Sequence, residues 1–298
     1  MLGMKTRQAT KQTAMLLTLL ALITACSPSD QPGLTPSPVP PTFTSKATLT
    51  PSPLTETLTA ARTPLPCLTQ PGRVEEGILE STDPAQQYLI YLPPCYDEKT
   101  DERFPVLYLL HGQTYTDDQL IRLGAVDVLD YLILSGESRP FIIVFPDDRY
   151  WNLQAGPGFG QRLADHLIPY IDETYRTLRD RNHRAIGGMS RGAGWALRLG
   201  LSHWDLFNTI GLHSLAVFQG DASRIPDWLA DIPPSSRPRV FMDIGEDDQE
   251  LIMAQTVEIL FNESDLSHEW HLYSGAHTEE YWSAHVEEYI RWYAEGWR

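Results

Sequence analysis

Short apolar runs recur along the chain at intervals of roughly 15 to 40 residues, with amphipathic stretches between most of them. Val74–Leu79 and Gln87–Leu92 read as two strands, and Pro105–Leu110 (PVLYLL) is a nearly unbroken apolar run. Phe141–Phe145 (FIIVF), Arg184–Met189 (RAIGGM), Asn208–Leu212, Arg239–Ile244 and Glu269–Tyr273 follow. Helical periodicity fills Asp117–Leu134, Phe159–Leu178, Gly192–Leu201, Glu250–Phe261 and Glu279–Tyr293. Strands apolar on both faces, alternating with helices, predict a mostly parallel central sheet covered on both faces, an α/β domain. The two opening strands have no room for a helix between them, which predicts an antiparallel start. There is no internal repeat.

The first 66 residues depart from this pattern. Lys5, Arg7 and Lys11 precede a 12-residue apolar run, Ala14–Ala25, which is too short for a comfortable bilayer span. It ends in Ile23-Thr24-Ala25-Cys26, which resembles a bacterial lipobox. That resemblance implies a signal peptide over residues 1–25 and a diacylated Cys26 at the mature N-terminus. In residues 27–66, Pro, Ser and Thr fill 24 of 40 positions, too few apolar groups to offset the entropy of ordering. The expectation is therefore a disordered tether over 26–66 and one folded domain over 67–298, exported and lipid-anchored to the outer face of a bacterial membrane.

Charge and cysteine usage narrow the partners. The chain has a formal net charge of −16, and the 67–298 domain, with 18 basic and 37 acidic residues, has −19. That argues against a nucleic-acid partner and against docking on anionic lipid, leaving the lipid anchor as the only membrane contact. An oxidising compartment would pair the two remaining cysteines, Cys67 and Cys95, as a disulfide. The sequence carries no signal for an oligomeric state.

Candidate chemistry gathers at the carboxyl ends of the strands, where open α/β sheets bind ligands. Ser190 lies between Gly188 and Gly192 at G-x-S-x-G spacing, directly after RAIGGM and directly before a helix pattern. This is the strand–turn–helix setting of a nucleophile elbow, in which side chains at the two glycines would clash. The Arg191 amide at the start of the following helix is a candidate oxyanion donor. His111-Gly112-Gln113 ends PVLYLL and offers the Gln113 amide as a second donor, with His111 itself read as structural. The strand Arg239–Ile244 runs into a carboxylate-rich turn in which Asp243, Asp247 and Asp248 compete as the acid that orients a histidine. Of the four later histidines, His268 and His271 lie on or beside a strand and His285 inside a helix; only His277 occupies a loop at the carboxyl edge. A metal at His268 and His271 is disfavoured because three-residue spacing in a strand points them to opposite faces. The order Ser–Asp–His then matches serine-hydrolase chemistry: His277 deprotonates Ser190, and the acid fixes the imidazole tautomer.

Taken together, "YLPPCYDEKTDERFPVLYLLHG", "DRNHRAIGGMSRGAGWALRLGLSHWDLFNTIGLHS", "DIGEDD" and "SGAHTEEYW" resemble the esterase family that includes esterase D, the enterochelin esterases and the feruloyl and acetyl-xylan esterases. The resemblance spans about residues 74 to 295 and implies an α/β-hydrolase fold. It also implies Asp248 as the acid, with Asp247 second, and no cofactor or metal. Ala193 departs from the second glycine that many members carry there. The short Pro-rich segment between Ser214 and Arg237 leaves no large cap domain. Trp195, Trp204, Phe218 and Trp228 are expected to pack in the core rather than line an open site. The function implied is a tethered serine carboxylesterase acting on a small-molecule or glycan ester, either a glycan-linked acetyl or feruloyl group or a siderophore-type ester. The alternatives are an acyltransferase on the same fold and an inactive surface binding module.

Overall fold

A computed structural model describes residues 66–148 and 158–297. The expected signal peptide, the expected lipidation site Cys26 and nearly all of the expected tether lie outside the described residues. Eight strands form one sheet: β1 (Arg73–Leu79), β2 (Gln86–Leu92), β3 (Val106–Leu110), β4 (Ile142–Pro146), β5 (Arg184–Met189), β6 (Thr209–His213), β7 (Arg239–Gly245) and β8 (Glu269–Tyr273). Their order is β1-β2-β4-β3-β5-β6-β7-β8. β2 runs antiparallel to β1 and β4, and every pairing from β4 to β8 is parallel. All five residues of β3 are buried, as a strand covered on both faces requires.

The helices are α1 (Gln119–Arg122), α2 (Ala125–Leu134), α3 (Phe159–Gln161), α4 (Ile168–Thr174), α5 (Arg191–Ser202), α6 (Ile225–Asp231), α7 (Leu251–Glu263) and α8 (Glu279–Glu295). One core cluster joins Val106, Tyr108 and Leu110 of β3 to α4, α5, α6 and α7. The other joins Leu107 and Leu109 to α2 and α8, so alternate residues of one strand feed the two cores.

Three differences from the periodicity have local causes. The stretch expected as one helix over Asp117–Leu134 breaks at Gly124, whose φ of 102° ends α1 before α2 begins. The helix expected to reach Leu178 ends at Thr174, and the chain turns extended so that Thr177 can bridge to Phe104. Its first half, Arg162–Leu167, is a wider π-type turn. Between β6 and β7 the Pro-rich stretch includes α6, a short helix its sequence did not reveal, with Pro226 in the first turn, where a missing N–H is tolerated. Trp195, Phe218 and Trp228 are buried and Trp204 packs against the same core, so these aromatics do not floor an open site.

Cys67 and Cys95 are joined in a disulfide, tying the turn at Pro66–Thr69 to the end of β2. Among the described residues no helix is long and apolar enough to cross a membrane. Nor does any group of three or more His, Cys, Asp or Glu among them stand where it could hold a metal ion.

Candidate active site

β5 ends against the backbone of β3. A Cβ on Gly188 would lie 2.6 Å from the Leu110 carbonyl oxygen, and one on Gly192 only 2.2 Å from the same atom. The two glycines therefore let the β5–α5 turn sit closer to β3 than any side chain permits. Ser190, between them, is held at φ 55°, ψ −118°, a backbone that non-glycine residues avoid. Its N–H donates to the His213 carbonyl at 2.8 Å, and its carbonyl accepts from the N–H groups of Gly194 and Ala216 at 3.1 and 3.2 Å. The strained turn is thus fixed from both sides.

Ser190 Oγ lies 2.7 Å from His277 Nε2. His277 Nδ1 lies 2.9 Å from each carboxylate oxygen of Asp248. The Asp248 side chain is fully buried, whereas the imidazole is 17% exposed, so the relay is shielded at the acid and open toward the serine. Burial acts to raise the Asp248 pKa. The hydrogen bonds from His277 and from the Glu250 N–H, with a smaller contribution from the nearby Ser214 hydroxyl, outweigh it, holding the carboxyl below its ordinary range.

The three competing aspartates separate clearly. Asp247 is exposed, and its N–H donates to the Gly275 carbonyl. Asp243 is buried within β7 and faces His213. Only Asp248, beyond the close packing of Gly245 on Gly275, meets His277: a Cβ on Gly245 would come within 2.2 Å of the Gly275 carbonyl oxygen.

The loop after β3 lies beside the serine. A Cβ on Gly112 would be 3.6 Å from Ser190 Cβ, and Gln113 follows it. The fully buried Gln119 fixes this loop by accepting the Gly112 N–H at 2.8 Å. Arg191 opens α5, placing its amide at the positive end of the helix dipole. Its side chain turns away into a buried ion pair, Nε to Asp148 Oδ2 at 2.7 Å, which Trp195 Nε1 joins at 2.9 Å. His111 is structural. Its Nε2 accepts the Asp148 N–H at 2.9 Å and its Nδ1 donates to the Gly112 carbonyl at 2.7 Å, which fixes a neutral tautomer.

The remaining histidines stand elsewhere. His268 packs on Phe261 of α7, His271 stacks on Phe241 and Tyr273 toward the other core, and His285 stacks on Tyr273. Gln119, Asp148, Ser214 and Trp282 are parts of the site that the sequence reading passed over. Asp148 and Ser214 had a signal, since they lie just past the ends of β4 and β6, the position that drew attention to the other residues. Gln119 and Trp282 had none.

Similar proteins share this architecture. The chain is 29% identical over 192 residues to an endo-1,4-beta-xylanase/feruloyl esterase of Xylanibacter ruminicola, covering 61% of this chain and 25% of that protein. It is 27% identical over 151 residues to endo-1,4-beta-xylanase Y of Acetivibrio thermocellus, covering 47% of this chain and 13% of that one. The chain therefore spans only about a quarter and about an eighth of these relatives' lengths. A solved ferulic acid esterase superposes with a TM-score of 0.68 at 24% identity, covering 76% of this chain and all of that one, a likeness of fold. The model of the family described as "Putative esterase" matches residues 80–293, from the end of β1 to nearly the end of α8, and with that match this chain belongs to the esterase family.

Proposed function

We propose that this chain is an extracytoplasmic serine carboxylesterase, lipid-anchored through Cys26, that cleaves a glycan-linked acyl ester through an acyl-enzyme on Ser190. The observation that carries the reading is the continuous hydrogen-bonded line from Ser190 Oγ through His277 to Asp248, built on a strained elbow. His277 Nε2 takes the hydroxyl proton as Oγ attacks the ester carbonyl, and Asp248 balances the imidazolium. The oxyanion is received by the amides of Gln113 and Arg191. Collapse of the tetrahedral species expels the alkoxide, which takes the proton from His277. Water then repeats the sequence and releases the acid.

The endo-1,4-beta-xylanase/feruloyl esterase among the relatives supports a feruloyl acyl group. The Ile23-Thr24-Ala25-Cys26 motif and the Ser/Thr/Pro-rich stretch after it support a tethered enzyme acting on extracellular polymer. The test treats the purified full chain with a fluorophosphonate, maps the modified peptide by mass, and compares Ser190→Ala on acetyl and feruloyl model esters. Labelling at Ser190 and loss of turnover in the variant are expected. A folded chain with neither labelling nor turnover would overturn the reading.

A further inference from the structure

The structure holds a second His–Asp pair that the hydrolytic scheme does not use. His213 and Asp243 end up opposite each other on the neighbouring strands β6 and β7, with both side chains fully buried. His213 Nδ1 donates to Asp243 Oδ1 at 2.7 Å. Two phenols of α8, Tyr281 and Tyr289, donate to Oδ2 at 2.8 and 2.7 Å. A third, Tyr293, donates to His213 Nε2 at 3.0 Å. This distribution of hydrogens gives each of the four donors an acceptor, with His213 neutral and Asp243 ionised. Burial, reinforced by the charge of Asp243, raises the pKa of Tyr281 and Tyr289 and keeps both phenols as donors. The backbone is shaped around the group. A Cβ on either Gly187 or Gly211 would come within 1.7 Å of Tyr293 Oη.

A buried ionised group with its own set of donors is seldom more stabilising than apolar packing of the same volume, so stability alone is a poor reason for it. The backbones of the pair point to another. The His213 carbonyl accepts the Ser190 N–H, and the Asp243 carbonyl accepts the Ser214 N–H at 2.9 Å. Both serines sit at positive φ, 55° and 47°. The Ser214 hydroxyl in turn accepts from Trp282 Nε1 at 2.9 Å and stands near Asp248, whose carboxyl it helps hold below its ordinary range. Helix α8 supplies Tyr281, Trp282, Tyr289 and Tyr293, and it begins two residues after His277.

Resting on the esterase reading above, we infer that Asp243 is a positioning residue: with His213 and three phenols of α8 it locks the ends of β6 and β7, so that Ser190 and Ser214 hold the strained backbones that aim the nucleophile and brace Asp248. The network acts through these serines and touches no substrate.

The test uses the full chain with Tyr281→Phe, Tyr289→Phe and the double variant, which remove donors while keeping the rings. Val257→Ala, in the opposite core, serves as a control of comparable thermal destabilisation. At a temperature far below every Tm, the double variant should lose about 10- to 100-fold in kcat and equally in the rate of fluorophosphonate labelling, with KM unchanged. The control should keep the native rates. His213→Asn, which retains a donor near the Nδ1 position, should recover more activity than His213→Leu. Native labelling rates in the double variant, or an equal loss in the control, would overturn the inference. A native chain that takes no label at all would remove the esterase reading itself, and the inference with it.

Discussion

Replacing Gly192 by alanine sets two expectations of opposite sign. Helix propensity alone favours Ala over Gly by about 1 kcal/mol within α5. The tertiary contact opposes it, because the new Cβ would lie 2.2 Å from the Leu110 carbonyl oxygen and 2.7 Å from that of His111. Both are backbone atoms, so no rotamer relieves the overlap, and the two segments must part by about 1 Å to restore ordinary contact. One segment carries the Gly112–Gln113 loop and the other carries Ser190 and Arg191, so the displacement opens the proposed oxyanion site directly. A misplacement of that size, or the loss of one donor, corresponds to about 10²- to 10³-fold in rate. We predict a fall of that order in kcat/KM on an activated acetyl ester, a matching fall in fluorophosphonate labelling, and a lower Tm despite the better helix former. Gly200→Ala, eight positions along the same helix, is the control. The three atoms nearest its Cβ all belong to the Ile210 side chain, with Cδ1 at 2.5 Å, and no backbone of the site is among them, so stability should fall while the labelling rate holds. A folded Gly192→Ala variant working within about threefold of the native rate would refute the argument that close approach of α5 to β3 shapes the site.

Three other outcomes follow from named contacts. Burial and the charge of Asp147 raise the half-buried Asp117 to about 6, from an ordinary 3.8. An acid whose folded pKa is raised makes stability fall as pH rises between those values. Asp117→Asn should therefore gain about 1 kcal/mol at pH 7, after allowance for solvent screening, and nothing near pH 3, as read by Tm against pH. Ser214→Ala removes the hydroxyl near Asp248 that helps lower its pKa, so the carboxyl pKa should climb toward its ordinary range. The stability that Asp248 contributes is present above that range and lost as pH falls through its lowered pKa; in the variant this contribution should be smaller and its loss complete at higher pH, with kcat down about tenfold. Replacing Cys67 and Cys95 by serine opens a link of sequence separation 28, worth about 3.5 kcal/mol in loop entropy. The expected drop in Tm is roughly 7 to 14 °C, with the labelling rate unchanged because the disulfide joins the start of the domain to the end of β2.

What the sequence determined by itself was whatever depends on local order along the chain. Continuous apolar runs separated by helical periodicity sufficed for a parallel sheet covered on both faces, because burial of a strand and the amphipathicity of a helix are written in neighbouring residues. The setting of Ser190 between Gly188 and Gly192 was equally legible, since the elbow lies within one pentapeptide. Gly124 marked a break that periodicity passed over, and the sequence around Pro226 concealed α6, because a single residue's φ and one short helix weigh little against a longer pattern.

Tertiary structure decided which side chains meet. Asp243, Asp247 and Asp248 are near neighbours of similar chemistry in the sequence. Strand alternation buries the first against His213, solvent takes the second, and the turn past Gly245 carries the third to His277. Ser214 meets Trp282 across 68 residues of chain, and Gln119 meets Glu279 across 160. Contacts of that kind leave no periodic trace, because they arise where strand ends from different parts of the chain are brought side by side by the sheet order. The sequence could therefore determine the elbow around Ser190 and the framework, whereas the support beneath them exists only once the sheet has closed.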